Sequence, residues 1–207
     1  VWTPAPVPFN HAYYVFDVLY ATDSKGQHRP QMAEGHTLSD DRLTWTFTLR
    51  EGLFFHDGEP VRARDAVASI RRWATRDAFG KRMASQLVEM KALDDRRFEI
   101  RLNKPFAHLL YGLGGTFCFI YPERIAAGDP NAAITEAVGS GPYKFVRSEW
   151  VAGASVGYVR NEKYVPRNEP PAFWSGGKVV HFDKVEWRIL PDPATAAAAL
   201  QTGEVDW

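Results

Sequence analysis

The chain has a single cysteine, Cys118, among its 207 residues. One cysteine cannot form an intrachain disulfide, and it fits an oxidising and a reducing compartment equally well. An excess of charge is lacking too, since 25 basic residues balance 25 acidic ones. Binding to the phosphates of a nucleic acid needs a basic surplus, so the composition argues against nucleic acid as the main partner.

Long apolar runs are also missing. The longest uncharged stretch contains residues 107–121, a run that is too short and too rich in glycine to cross a bilayer. The chain begins at Val1 without a basic and apolar leader, so we expect that any signal peptide has been removed. These patterns predict a protein that does not insert directly into a membrane.

Motifs for catalysis and metal binding are not found in the sequence. It contains no GxSxG, Ser-x-x-Lys or paired Cys and His arrangement that would activate a nucleophile. Its six histidines show no HExxH or other close ligand spacing. His56-Asp57 lies among turn residues, where both side chains can satisfy nearby backbone groups. We therefore expect no catalytic residue, no cofactor and no metal site made by the protein.

The clearest pattern lies in residues 34–73. Apolar and polar residues alternate from 44 to 50, which predicts a strand whose buried face is formed by Trp45, Phe47 and Leu49. The polar run HDGEP at 56–60 then predicts a turn. After it the apolar period changes to about 3.6, which predicts a helix with Asp65 placed to cap its first turn.

The literal residues of this region carry a resemblance. WTFTLREGLFFHDGEPVRARDAVAS resembles the signature block of the family 5 bacterial extracellular solute-binding proteins, the oligopeptide, dipeptide and nickel receptors of ABC importers. Family-like blocks follow in the family's order at 139–150, GSGPYKFVRSEW, at 160–164, RNEKY, and at 203–206, GEVD. The sequence departs at Arg62, where the family usually places a threonine as the helix cap.

The resemblance implies a fold. We expect an α/β (mixed α+β) lobe like that of the type II periplasmic-binding proteins. Residues 1–40 and 136–207 would form the core sheet of the first lobe, and 41–135 a small α+β insert subdomain. Family members are considerably longer, so we expect the second lobe to be missing, with a hinge that begins near 203–207.

It also implies a function. The protein would be the periplasmic binding component of an ABC importer, which captures a di- or oligopeptide between two closing lobes and delivers it to the membrane permease. A nickel chelate, an opine or a short sugar is an alternative ligand. An enzyme or a regulatory sensor on the same fold is a further alternative, but it would need a nucleophile beside a base, or a fused DNA-binding segment, and the sequence shows neither.

The family's architecture implies ligand contacts from the segment before the first domain helix and from the loop near Gly115. The candidates are Tyr13, Tyr14, Phe79, Thr116 and Phe117. Each of them fits equally well as a core aromatic or a loop polar group.

The helix predicted after Pro60 leads into a basic stretch. It contains Arg71, Arg72, Arg76, Lys81 and Arg82. We interpret this stretch as a solvated helix face; docking on the transporter or attraction of acidic ligands is the alternative.

Other local patterns give further expectations. Residues 1–9 contain three prolines and should be extended or irregular. A second helical stretch is predicted at 83–89, and a hairpin whose turn carries the aspartates at 94–95. Cys118 lies in an apolar run and is expected in the core.

Overall fold

The structure, a computed structural model, describes residues 6–115 and 117–206. In these residues the chain forms six helices: α1 (Pro6–Val15), α2 (Ala63–Arg76), α3 (Ala78–Ala84), α4 (Leu109–Gly115), α5 (Glu123–Ala126) and α6 (Pro193–Gln201). The nine strands are β1 (Tyr20–Thr22), β2 (His28–Pro30), β3 (Ala33–Leu38), β4 (Thr44–Leu49), β5 (Leu87–Ala92), β6 (Arg97–Leu102), β7 (Tyr143–Val151), β8 (Ser155–Arg160) and β9 (Lys184–Arg188).

The largest sheet has the strand order β3-β4-β6-β5, and all its pairs are antiparallel. The alternation predicted for β4 is confirmed, because Trp45, Phe47 and Leu49 are buried and the threonines between them are not. Phe47 lies opposite Phe98 on β6, and their stacked rings are 5.0 Å apart. The first hydrophobic core is formed between this sheet and helix α2.

Helix α2 begins at Ala63 with Arg62 at the N-cap position, and Asp65 lies in its first turn, as predicted. The Arg62 side chain has only donors and cannot bond the free N–H groups of the first turn. Asp65 accepts the backbone N–H of Arg62 at 2.7 Å and that of Glu123 at 2.7 Å. One carboxylate therefore fixes the first turn of α2 and the start of α5 together.

The second hydrophobic core surrounds α1 and the sheet β7-β8-β9. Its buried members are Ala12, Val15, Phe16, Val18, Ala21, Phe119, Tyr121, Ala126, Tyr143 and Tyr158. The His11 ring lies on Tyr158, with Nδ1 2.9 Å from the phenol oxygen. Burial lowers the pKa of His11, so its ring is neutral near pH 7.

Two local expectations are wrong. Residues 1–9 were expected to be extended or irregular. Residues 1–5 lie outside the described part of the chain, but residues 6–9 are helical, because α1 starts at Pro6. Prolines are tolerated in a first helical turn because the N–H groups there have no intrahelical partner. The helix expected at 83–89 is a helix only as far as Ala84, and strand β5 begins at Leu87. The hairpin of β5 and β6 is confirmed.

The division into a core lobe and an insert subdomain at residues 41–135 stays a prediction. The β3–β4 hairpin spans its first boundary. Among the helices in the described ranges, none combines the length and apolarity needed to cross a bilayer.

Candidate functional site

Three of the sequence blocks meet beside the end of α1. His56, in the HDG turn, donates its backbone N–H to the carbonyl of Gly139 at 2.8 Å. Its ring Nε2 lies 3.1 Å from the carbonyl oxygen of Gly141, which also accepts the side-chain amide of Asn161 at 3.0 Å. The HDG turn, the GSGPY loop and the RNEKY phrase are therefore held at one point.

The glycines of the GSGPY loop are required by close packing against α1. A Cβ on Gly139 would lie 2.0 Å from the carbonyl oxygen of Val15, and one on Gly141 would lie 2.5 Å from that of Tyr14. Neither distance is possible for a real side chain. The loop thus fixes the last turn of α1, and with it the direction of the side chains on that helix.

A buried charged group follows α1. Asp17 is 1% exposed and accepts the Nζ of Lys178 at 2.8 Å and the phenol of Tyr164 at 3.1 Å. Its carboxylate also accepts the N–H of Val18 at 2.9 Å. Lys178 Nζ lies in addition 5.3 Å from the centre of the Tyr13 ring, within the range of a cation–π contact. The segment around residue 178 is therefore tied to α1.

Next to this group, partly buried aromatic rings from three parts of the chain pack against one another. We call these rings the aromatic shelf and define it as Phe9, Tyr13, Phe117 and Trp174. Tyr13 stacks on Trp174 with ring centres 4.6 Å apart, and Phe9 lies 5.4 Å from Phe117 and 5.1 Å from Trp174. The adjoining Phe173 is 71% exposed. Phe117 and Phe173 both have positive φ angles, 59° and 58°, which non-glycine residues rarely adopt.

A cavity of about 200 Å³ lies on the other side of Phe117. Its walls come from α2, from residues 117–121 and from residues 131–134. The lining side chains are Ser69, Arg72, Trp73, Arg76, Phe117, Phe119, Tyr121, Asn131, Ala132, Ala133 and Ile134. Phe117 thus belongs both to the lining of the cavity and to the aromatic shelf.

Arg72 contradicts the interpretation of the basic stretch as a solvated face. Its side chain is buried, and its guanidinium donates to the backbone carbonyls of Gly128, Asp129 and Ala132 at 3.2, 2.9 and 2.6 Å. Arg72 therefore fixes the loop that closes the cavity. Arg71 and Arg82 are exposed, as that interpretation requires.

The predicted ligand residues are only partly brought together. Tyr13 and Phe117 both belong to the aromatic shelf. Tyr14 points to a different side of α1 from Tyr13, with ring centres 4.9 Å from Tyr143 and 5.1 Å from Trp187. Phe79 packs on Phe106 and on the exposed Tyr111, and it is not among the described residues that line the cavity. Thr116 lies outside the described residues.

The sequence interpretation did not find Phe9 or Trp174, and it named Arg72 only as a member of the basic stretch. Trp174 follows two prolines and precedes two glycines, a composition that predicts a loop and gives no sign of stacking. Only its position in the folded chain reveals it.

Two observations concern the expectations for metal binding and for Cys118. Among them, no group of three His, Cys, Asp or Glu side chains is placed to hold a metal ion. Cys118 is buried, as predicted, and burial raises the pKa of its thiol, which makes it a poor nucleophile.

The chain is similar to transport receptors over nearly all of its length. A probable peptide ABC transporter periplasmic-binding protein of Sinorhizobium fredii is 46% identical over 100% of this chain and 39% of its own length. The nickel-binding periplasmic protein of Escherichia coli is 31% identical over 93% of this chain and 35% of its own length. The chain thus spans less than two fifths of the length of these relatives.

A solved structure agrees with the sequence relatives. The ABC transporter substrate-binding protein CtaP of Listeria monocytogenes superposes with a TM-score of 0.75 at 27% identity, over 99% of this chain and 40% of that protein. This superposition confirms the periplasmic-binding-protein fold that the sequence blocks implied. Residues 27–207 match the family described as bacterial extracellular solute-binding proteins, family 5 Middle. The chain therefore belongs to the family 5 bacterial extracellular solute-binding proteins.

Proposed function

We propose that this chain is part of the solute receptor of an ABC importer and that its ligand is a di- or oligopeptide. The observation that carries the proposal is the aromatic shelf beside a cavity that is lined by two guanidinium groups. Such a surface offers apolar area to peptide side chains and hydrogen-bond donors to peptide oxygens. Family membership and the peptide-transporter relative from Sinorhizobium support it.

The receptor works by binding and closure. The solute contacts the aromatic shelf on one side and a second lobe on the other side. Because these contacts are better in the closed arrangement, the solute stabilises that arrangement. The closed form delivers the solute to a membrane permease, and no covalent bond is made or broken. The names of both relatives place them in the periplasm, which supports a periplasmic location for this protein.

Within this proposal, Tyr13 and Phe117 are the ligand contacts that the structure supports best, because both belong to the aromatic shelf. Tyr14 and Phe79 stay predictions. A nickel chelate is a second candidate, since the relative from Escherichia coli is named for nickel binding. Because the described residues offer no metal-holding group, nickel would have to arrive inside a chelator.

A thermal-shift screen tests the proposal. The chain is heated with millimolar di- to pentapeptides, nickel chelates, opines and short sugars, and the midpoint of unfolding is compared with that of the free protein. A ligand at 100 times its Kd should stabilise the folded state by about 2.7 kcal/mol. A rise with peptides alone is the expected result. A rise only with a sugar, an opine or a chelate would overturn the peptide assignment, and turnover of a peptide or an ester would overturn the receptor assignment.

A further inference from the structure

We propose that the cavity beside α2 is a subsite for a carboxylate group of the bound solute. This inference rests on the proposed function and narrows its ligand class to solutes that join an acid to an aromatic or apolar group. It is argued from the charge, the hydrogen bonding and the shape of the cavity.

The walls of the cavity carry positive charge without an acidic residue. Arg72 and Arg76 line it, and none of its lining residues is Asp or Glu. Arg72 is only 6% exposed, and in the part of the chain that the structure describes it forms no ion pair. A buried cation whose partners are neutral carbonyls leaves a positive potential in the space beside it.

Two acidic side chains close in sequence to the cavity residues, Asp77 and Asp129, bind backbone N–H groups. Asp77 accepts the N–H groups of Phe79 and Gly80 at 2.8 and 3.0 Å. Asp129 accepts the backbone N–H of Asn131 at 2.8 Å. These carboxylates cap their own segments, and neither lines the cavity. A negative group on the solute would therefore meet two guanidinium groups and no repelling charge at the cavity wall.

The shape of the cavity favours a carboxylate that is joined to a larger solute. A volume of about 200 Å³ holds a carboxylate and a few neighbouring atoms, but not a whole peptide. Phe117 forms one wall, and its ring also belongs to the aromatic shelf. A solute with its acid in the cavity can thus lay an aromatic or apolar side chain against the shelf.

The experiment uses two probes of almost equal shape. N-acetylphenylalanine carries the carboxylate, and N-acetylphenylalanine amide replaces it with a neutral group. Isothermal titration of the chain with each probe gives two Kd values. We expect the acid to bind about tenfold more tightly than the amide, because a charged hydrogen bond to a guanidinium is stronger than a neutral one.

Arg76→Gln is the informative variant. Arg76 is exposed at the end of α2, and its hydrogen bonds to the carbonyls of Pro130 and Asn131 are long, 3.2 and 3.4 Å, so its replacement should leave the fold intact. The acid should lose about tenfold in affinity, while the amide should change by less than about twofold. Arg82→Gln is the matched control, since it removes an exposed arginine that does not line the cavity, and it should preserve the difference between the probes.

Three outcomes would overturn the subsite: equal binding of acid and amide, equal effects of the two substitutions, or no binding of either probe. Peptides with an amidated carboxyl end separate this inference from the receptor function. If they stabilise the chain as well as peptides with a free carboxylate do, the receptor proposal stands and the carboxylate subsite is excluded.

Discussion

His56 and Asn161 donate hydrogen bonds to the same oxygen atom, the carbonyl oxygen of Gly141. This oxygen can only accept, so the His56 Nε2 must carry a proton. On the other side of the ring, the N–H of Gly139 is directed at Nδ1, at 3.4 Å, and Nδ1 must therefore be free of a proton. The neutral imidazole with its proton on Nε2 satisfies both contacts.

The first prediction concerns pH. Burial lowers the pKa of His56 from its ordinary value of 6.5. The folded chain then binds fewer protons than the unfolded chain. The contribution of His56 to the free energy of unfolding is therefore fully present above pH 6.5 and is lost as the pH falls below it. The slope from one such histidine reaches at most about 1.4 kcal/mol per pH unit. Urea unfolding of the wild type between pH 7.5 and 5 should show this decrease.

His56→Gln isolates the contribution of this residue, because glutamine keeps a donor near Gly141 but does not titrate. The variant should be less stable at pH 7.5 and should show a shallower loss below pH 6.5. His181→Gln, which removes an exposed ring, should follow the wild-type profile. If His56→Gln has the same slope as the wild type, the neutral-histidine assignment is wrong.

The second prediction concerns the glycines that pack against α1. Gly139→Ala should lower the free energy of unfolding by about 3 kcal/mol or more, because the new Cβ would overlap the Val15 carbonyl and the loop would have to move. Gly35→Ala is the control, since no heavy atom lies within 4 Å of its new Cβ, and it should change stability by about 1 kcal/mol or less. Equal effects in urea unfolding would contradict the packing argument.

The third prediction concerns the buried pair of Asp17 and Lys178. Asp17→Asn should cost about 3 kcal/mol, because it leaves the Lys178 ammonium largely buried without a counter-ion. Lys178→Met should cost a similar amount for the opposite reason. The double variant should be more stable than the sum of the two losses predicts, by at least about 1 kcal/mol. Simple additivity would show that the two side chains do not interact.

The fourth prediction concerns Phe173, which is 71% exposed beside the aromatic shelf, with its ring 5.1 Å from that of Trp174. Phe173→Ala should change the free energy of unfolding by less than about 0.5 kcal/mol, because little of the ring is buried. The same substitution should lower the affinity for a stabilising peptide by about tenfold. Phe182→Ala removes a ring that is 66% exposed elsewhere on the surface and should leave affinity unchanged. Equal affinity losses would exclude a special role for the shelf.

The elements with a regular local period could be predicted from the sequence. Strand β4 and helix α2 follow directly from alternation and from the 3.6-residue period, and the sequence blocks indicated the family. The burial of Arg72 could not be predicted, because its acceptors are carbonyl groups of residues 128–132, more than 50 positions away. A period in a helix reports the usual polarity of a residue type and contains no information about such distant acceptors.

The ligand candidates show the same limit. Tyr13 and Tyr14 are neighbours in the sequence and were predicted together, yet a helix places adjacent residues about 100° apart. Tyr13 therefore stacks on Trp174, whereas Tyr14 packs against Tyr143. The sequence could locate the segment of the site, but only the helix geometry and its distant partners decide which ring faces it.

The contacts of α1 have a consequence for the order of folding. The β3-β4-β6-β5 sheet and α2 use residues within 33–102, whereas His11 meets Tyr158 and Asp17 meets Lys178 across separations of 147 and 161 residues. Long loops close more slowly than short ones, so we expect the sheet to form early and α1 to dock late. Until α1 docks, the rings of the aromatic shelf are open to water, and during this interval the chain is most prone to aggregate.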